Sequence, residues 1–215
     1  MVCGALLSGC ATAPKPIANE LIPAMRGQAI ALIYRPPADE FAVMTVGRSL
    51  AGLLGGIQSA RAEGREFVDK YKISDPSIIL GERLSAMLQA GLGMRVLLPP
   101  TTVSADGVSS ALSGIKQHAR FALETSTGAW FLAAELTSPN QFRVVYSFGA
   151  KLFDTQSGNE IASSRCFRSL KGEPSHRNTL EELLADDARQ LKAQYSRFAE
   201  QCAEKVRGDF KIPAT

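Results

Sequence analysis

The strongest constraint on the fold lies between Ala129 and Arg168, where two short turn signals separate three extended segments. Ala129 to Leu136 (AWFLAAEL) is almost continuously apolar, the pattern of a central strand buried on both faces. Thr137 to Gln141 comes next as a turn carrying Pro139-Asn140. Phe142 to Phe153 then alternates, with Phe142, Val144, Tyr146, Phe148, Ala150 and Leu152 on one face. Asp154 to Asn159 (DTQSGN) is turn chemistry. Glu160 to Arg168 is more polar and so belongs nearer a sheet edge. The expectation is a three-stranded antiparallel meander with one face to bury.

The chain supplies a cover for that face directly afterwards. Leu170 to Arg177 reads as a loop, and Thr179 with Glu182 makes a capping box. Leu183, Leu184, Ala188, Leu191, Tyr195, Phe198, Cys202 and Val206 then recur at spacings of three and four. That stripe predicts one long helix from Leu180 to Gly208, about 28 residues and roughly 42 Å. Asp209 to Thr215 reads as a frayed tail.

The amino-terminal half predicts an α/β alternation. Gln28 to Tyr34 (QAIALIY) is a strand stopped by Arg35-Pro36-Pro37. From Asp39 to Gly64 the apolar residues fit helical spacing. Gly47, Gly52, Gly55 and Gly56 each cost a helix roughly 1 kcal/mol against alanine. Such glycines serve close backbone approach, either inside the domain or against a partner helix or membrane. Arg48 speaks against burial in lipid. Asp75 and Pro76 form a helix start, and Gly91 a left-handed stop. Met94 to Leu98 (MRVLL) is the next strand, ended by Pro99-Pro100. Thr101 to Gly107 is a polar loop, and Val108 to His118 a short helix. Together these give an α/β (α+β) class, a mixed sheet carrying the meander and packed by helices.

Composition bounds the class of function. A chain of 215 residues, 45% hydrophobic and 21% charged, forms one sizeable core. A net charge of +3 is too weak to imply nucleic acid as a partner. No uncharged apolar stretch is long enough for a conventional spanning helix.

No catalytic constellation emerges. Gly47-Arg48-Ser49-Leu50-Ala51 approaches a nucleophile elbow, but Ala51 replaces the second glycine and too few strands precede it. His118 and His176 are the only histidines, and neither has another ligand at metal spacing. Gly91-Leu92-Gly93 lacks the third glycine of a dinucleotide fingerprint. Glu181-Glu182 and Asp186-Asp187 fall on the polar face of the last helix, and Trp130 falls in the core. No catalytic residue, cofactor or metal ligand is assigned.

The amino terminus carries the most specific motif. Leu7-Ser8-Gly9-Cys10 resembles the lipobox of bacterial lipoproteins: an aliphatic residue, two small residues, then the cysteine that is acylated after cleavage. Ala11-Thr12-Ala13-Pro14-Lys15-Pro16 comes after it as a small-residue stretch of tether character. The resemblance implies a signal peptide over 1–9, whose basic start would lie upstream of Met1, and a lipidated tether over 10–19. A single periplasmic domain would span 20–208, with the tail over 209–215. Ala11 is not the aspartate that marks inner-membrane retention, so the resemblance implies the outer membrane, facing the periplasm. Cys166 and Cys202 are then an even pair in an oxidising compartment. A bridge between them, closing about 37 residues, would contribute roughly 4 kcal/mol in the chain-entropy model.

The element order is also weakly similar to the α/β domains of curli-secretion-channel and penicillin-binding-protein-activator lipoproteins. It is likewise similar to the amino-terminal domain of the Tol-system propeller protein. The resemblance rests on the early strand, the helix from Pro76 feeding Met94–Leu98, and Phe142–Asp154 with the turn Thr155–Gly158. The glycine-rich Asp39–Gly64 segment departs from it. The lipobox resemblance, the single domain and the missing catalytic groups together imply a non-enzymatic, membrane-anchored module that binds an envelope protein; the fold resemblance itself carries no function. The alternatives are an oligomeric secretion or pore component using residues 43–60, and a small-ligand carrier or hydrolase. The oligomeric state stays open.

Overall fold

The computed structural model describes residues 13–36, 41–51, 56–104, 106–169 and 178–213. The lipobox, Cys10 and His176 lie outside the described residues. The elements run α1 (Ile22–Met25), β1 (Ala29–Arg35), β2 (Ala42–Met44), α2 (Val46–Leu50), α3 (Gly56–Tyr71), α4 (Pro76–Leu92) and β3 (Arg95–Thr102). They continue with α5 (Val108–Ile115), β4 (Phe121–Glu135), β5 (Ser138–Asp154), β6 (Asn159–Ser169), β7 (Asn178–Thr179) and α6 (Leu180–Phe210).

The sheet is mixed, in the order β3-β1-β4-β5-β6. β1 lies parallel between β3 and β4, and β4-β5-β6 form the antiparallel meander. β2 also pairs with β4 in parallel, at Phe131 to Ala133, in line with β1 along the same edge. α4 and α6 cover the inner face. α5 covers only one end of the outer face, over Ile33, Ala122 and Phe153. Phe121, Leu123, Val144, Tyr146, Phe148 and Leu152 point inward to meet Leu80, Leu84, Leu191 and Phe198. The α/β class and the meander therefore stand as expected.

Several boundaries differ, each for a physical reason. The expected helix from Asp39 to Gly64 is divided among β2, α2 and α3. Val43 is drawn into the sheet, and Thr45 caps α2 by accepting from Arg48 N–H. A Cβ on Gly64 would sit 1.8 Å from the Phe41 carbonyl oxygen, and one on Gly56 2.5 Å from that of Arg48. Gly56 and Gly64 are therefore spent on close packing inside the domain, whereas Gly47 has open space and Gly52 and Gly55 lie outside the described residues. Arg48 adds to that packing, bonding Glu63 and the Val43 carbonyl.

Gly93, not Gly91, is the left-handed cap of α4. Gly91 is instead the seat of the tail, where a Cβ would meet the Pro213 carbonyl at 2.9 Å. The tail is ordered through that contact, with Phe210 and Ile212 buried, and Gly208 does not end α6. β3 runs through Pro99-Pro100 because an edge strand can lose ladder hydrogen bonds there.

α6 is not one continuous rod. Ala185 is extended, and Asp186, Asp187 and Ala188 all take left-handed backbone, so a short first turn precedes the main helix. Asp186 pairs with Arg189 and Asp187 with Lys192 across this break. The main segment carries the expected stripe, and Cys202 on it is bonded to Cys166 of β6, with Cα atoms 5.7 Å apart.

The expected tether is also partly docked. Lys15 exchanges backbone hydrogen bonds with Ser163 on the outer edge of β6, and Ile17 is buried at 1% exposure. The packed unit thus begins before residue 20 and extends past 208.

Candidate functional site

The first half of β4, Phe121 to Gly128, carries a run of four polar residues, yet Glu124, Thr125, Ser126 and Thr127 are all buried. Two hydrogen-bonded networks, one on each face of the sheet, hold Glu124, Ser126 and Thr127, while Thr125 faces Gly81 of α4.

On the inner face Asp75 is the hub. As N-cap of α4 it accepts from Ser77 N–H at 2.8 Å. The same oxygen accepts from the Thr127 hydroxyl at 2.6 Å, and the other carboxylate oxygen from the Tyr34 hydroxyl at 2.8 Å. Tyr146 reaches Thr127 at 3.1 Å. Burial, with the Asp75 charge second, raises the Tyr34 and Tyr146 phenols above the ordinary tyrosine value. Burial does the same to Tyr195, which stacks edge-on against Phe41, Trp130 and Tyr146. On the outer face Arg35 pairs with Glu124 at 2.6 Å and donates to Ser126 at 3.1 Å.

This cluster has the groups of an acid–base site but not its access. Asp75 is 7% exposed and accepts from three internal donors, two on one oxygen and one on the other. A charge held in this way positions elements; here it fixes the start of α4 to β1 and β4. The other sequence candidates do not join it. Ser49 is exposed in α2, away from the strand–helix junction that an elbow requires. His118 is exposed in the turn after α5. Among the described residues no three His, Cys, Asp or Glu side chains come together as a metal site requires. No described helix is long and apolar enough to cross a membrane.

The exposed chemistry lies at the two edges of the sheet. Among the described residues β3 pairs only with β1, and Leu98 on it is 74% exposed. At the other edge, the end of β6 and the neighbouring part of the outer face form a shallow hollow. It is lined by Phe131, Arg143, Val145, Phe167, Arg168 and Ser169. Phe167 is 61% exposed, and Leu136 in the nearby β4–β5 turn is 76% exposed. Arg143 Nε and Ser169 Oγ are buried there without a hydrogen-bond partner. Sequence reasoning misses this hollow because its residues come from three strands and converge only through register: Phe131 opposite Val145, and Val145 opposite Ser169.

No family model matches the chain, and no curated protein matches its sequence. Solved structures with a similar course include the PelC dodecamer from Paraburkholderia phytofirmans, at 14% identity and TM-score 0.39, over 93% of this chain and 94% of that one. The hypothetical protein CT253 from Chlamydia trachomatis is similar at 11% identity and TM-score 0.42, over 86% and 99%. Lipoprotein GNA1162 from Neisseria meningitidis is similar at 12% identity and TM-score 0.29, over 81% and 99%. These likenesses are long in coverage and loose in superposition, and none assigns a function.

Proposed function

We propose that the chain is a lipid-anchored module of the outer membrane, facing the periplasm, that binds an envelope protein and catalyses nothing. Acylation at Cys10 supplies the anchor, and the Cys166–Cys202 bridge suits an oxidising compartment. The observation that carries the reading is an inversion of exposure. The buried acid at Asp75 is consumed by internal donors, while Leu98, Leu136 and Phe167 stand out in solvent. An apolar side chain exposed on an unpaired sheet edge, as Leu98 is, suits the addition of a partner strand.

The protein partner docks at the β3 edge. Leu98 offers an apolar anchor there, and the strand has one side unpaired. Gly56 and Gly64 are packed against neighbouring backbone, which supports close packing within the domain over a pore surface at those two positions. A photocrosslinking amino acid in place of Leu98, activated in intact cells, should give one discrete protein adduct. The same group at Glu66, exposed on α3, should give none. An identical smear from both positions would count against a docking edge.

A further inference from the structure

We infer that the hollow at the end of β6 faces the bilayer and takes anionic phospholipid headgroups; this rests on the anchoring of Cys10 proposed above. The first support is chain direction. Lys15 pairs antiparallel with Ser163, so the chain runs from Lys15 back toward its amino terminus in the direction of Arg165, Phe167 and Ser169. Cys10 lies five residues before Lys15, a reach of at most about 17 Å. Phe167 lies four residues beyond Ser163 along β6, about 13 Å. An acyl chain on Cys10 therefore holds the β6 edge, and not the β3 edge, next to the membrane surface, and the antiparallel course of the chain at Lys15 favours the Phe167 end of that edge.

The second support is chemistry. Arg143 and Arg168 line the hollow, and neither has a carboxylate partner among the described residues. Arg143 Nε and Ser169 Oγ are donors in want of an acceptor. Phe167 stands beside them with its ring in solvent. Guanidinium and hydroxyl donors around a hollow suit a phosphate oxygen, and a protruding aromatic suits the headgroup–acyl boundary. A lipid anchor with a cationic patch is the two-signal arrangement that stabilises membrane residence. A protein partner rich in carboxylates is the competing occupant, but covalent reach favours lipid.

The test uses the full acylated chain in vesicles, read by amide hydrogen exchange. Vesicles rich in phosphatidylglycerol should slow exchange over residues 165–169 about tenfold relative to phosphatidylcholine vesicles, an effect lost at high salt. The salt arm needs no variant. The double variant Arg143→Glu, Arg168→Glu should lose the slowing while keeping its disulfide. Equal exchange in both vesicles, with acylated Cys10 verified by mass, overturns this inference and leaves the anchored reading intact. Slowing that appears only when envelope proteins are added also overturns it, in favour of a protein site. An unmodified Cys10 in membrane-extracted protein overturns both.

Discussion

Asp75 serves several elements at once. It caps α4, accepts from two hydroxyls and ties the helix start to β1 and β4. Asp75→Ala removes the cap and leaves Tyr34 and Thr127 without their acceptor. The expected loss is about 2–4 kcal/mol, read as a lowered denaturation midpoint with the slope unchanged. The tyrosines around it set the alkaline limit. Folding keeps Tyr34, Tyr146 and Tyr195 neutral above the ordinary value of 10.0. Their contribution is fully present below that pH. It is lost above it, because the unfolded chain ionises first and folding must then take up protons. These three tyrosines should therefore ionise together with unfolding, as followed by phenolate absorbance and circular dichroism. Smooth ionisation of all three before any loss of structure would contradict the buried network.

Among the elements, legibility in sequence tracks the source of each segment's burial. β5 and the stripe of α6 are readable because their apolar residues repeat at periods of two and three to four. Cys202 lies on that stripe, which makes its partner on β6 foreseeable. The first half of β4 is not readable, because Glu124, Ser126 and Thr127 are buried by partners distant in sequence. The α6 break is invisible for a similar reason: Asp186 and Asp187 fit a helical surface, and only their backbone departs. The glycine-rich segment is ambiguous because its residues could serve any close approach. The structure spends Gly64 on the Phe41 carbonyl, which seats α3 on β2. Gly64→Ala should then separate these two elements and destabilise the fold by about 1–3 kcal/mol or more, measured by chemical denaturation. A neutral effect there would mean that α3 and β2 do not approach so closely.

At the scale of the whole molecule, the sheet has two unlike edges separated by four strand spacings, about 19 Å. One edge carries Lys15, from which the chain leads back to Cys10. The other carries Leu98 in the open. The docking of Lys15 and the burial of Ile17 leave little free chain between anchor and domain. In the proposed module the β6 end lies toward lipid and the β3 edge is turned away. That arrangement depends on the chemistry of one thiol. The deciding measurement is the mass of the amino-terminal peptide from protein extracted out of cell membranes. Anchoring at Cys10 requires a chain that begins at this residue and carries a diacylglyceryl group on its sulfur. An unmodified Cys10, or a chain that still retains Leu7-Ser8-Gly9, would contradict it.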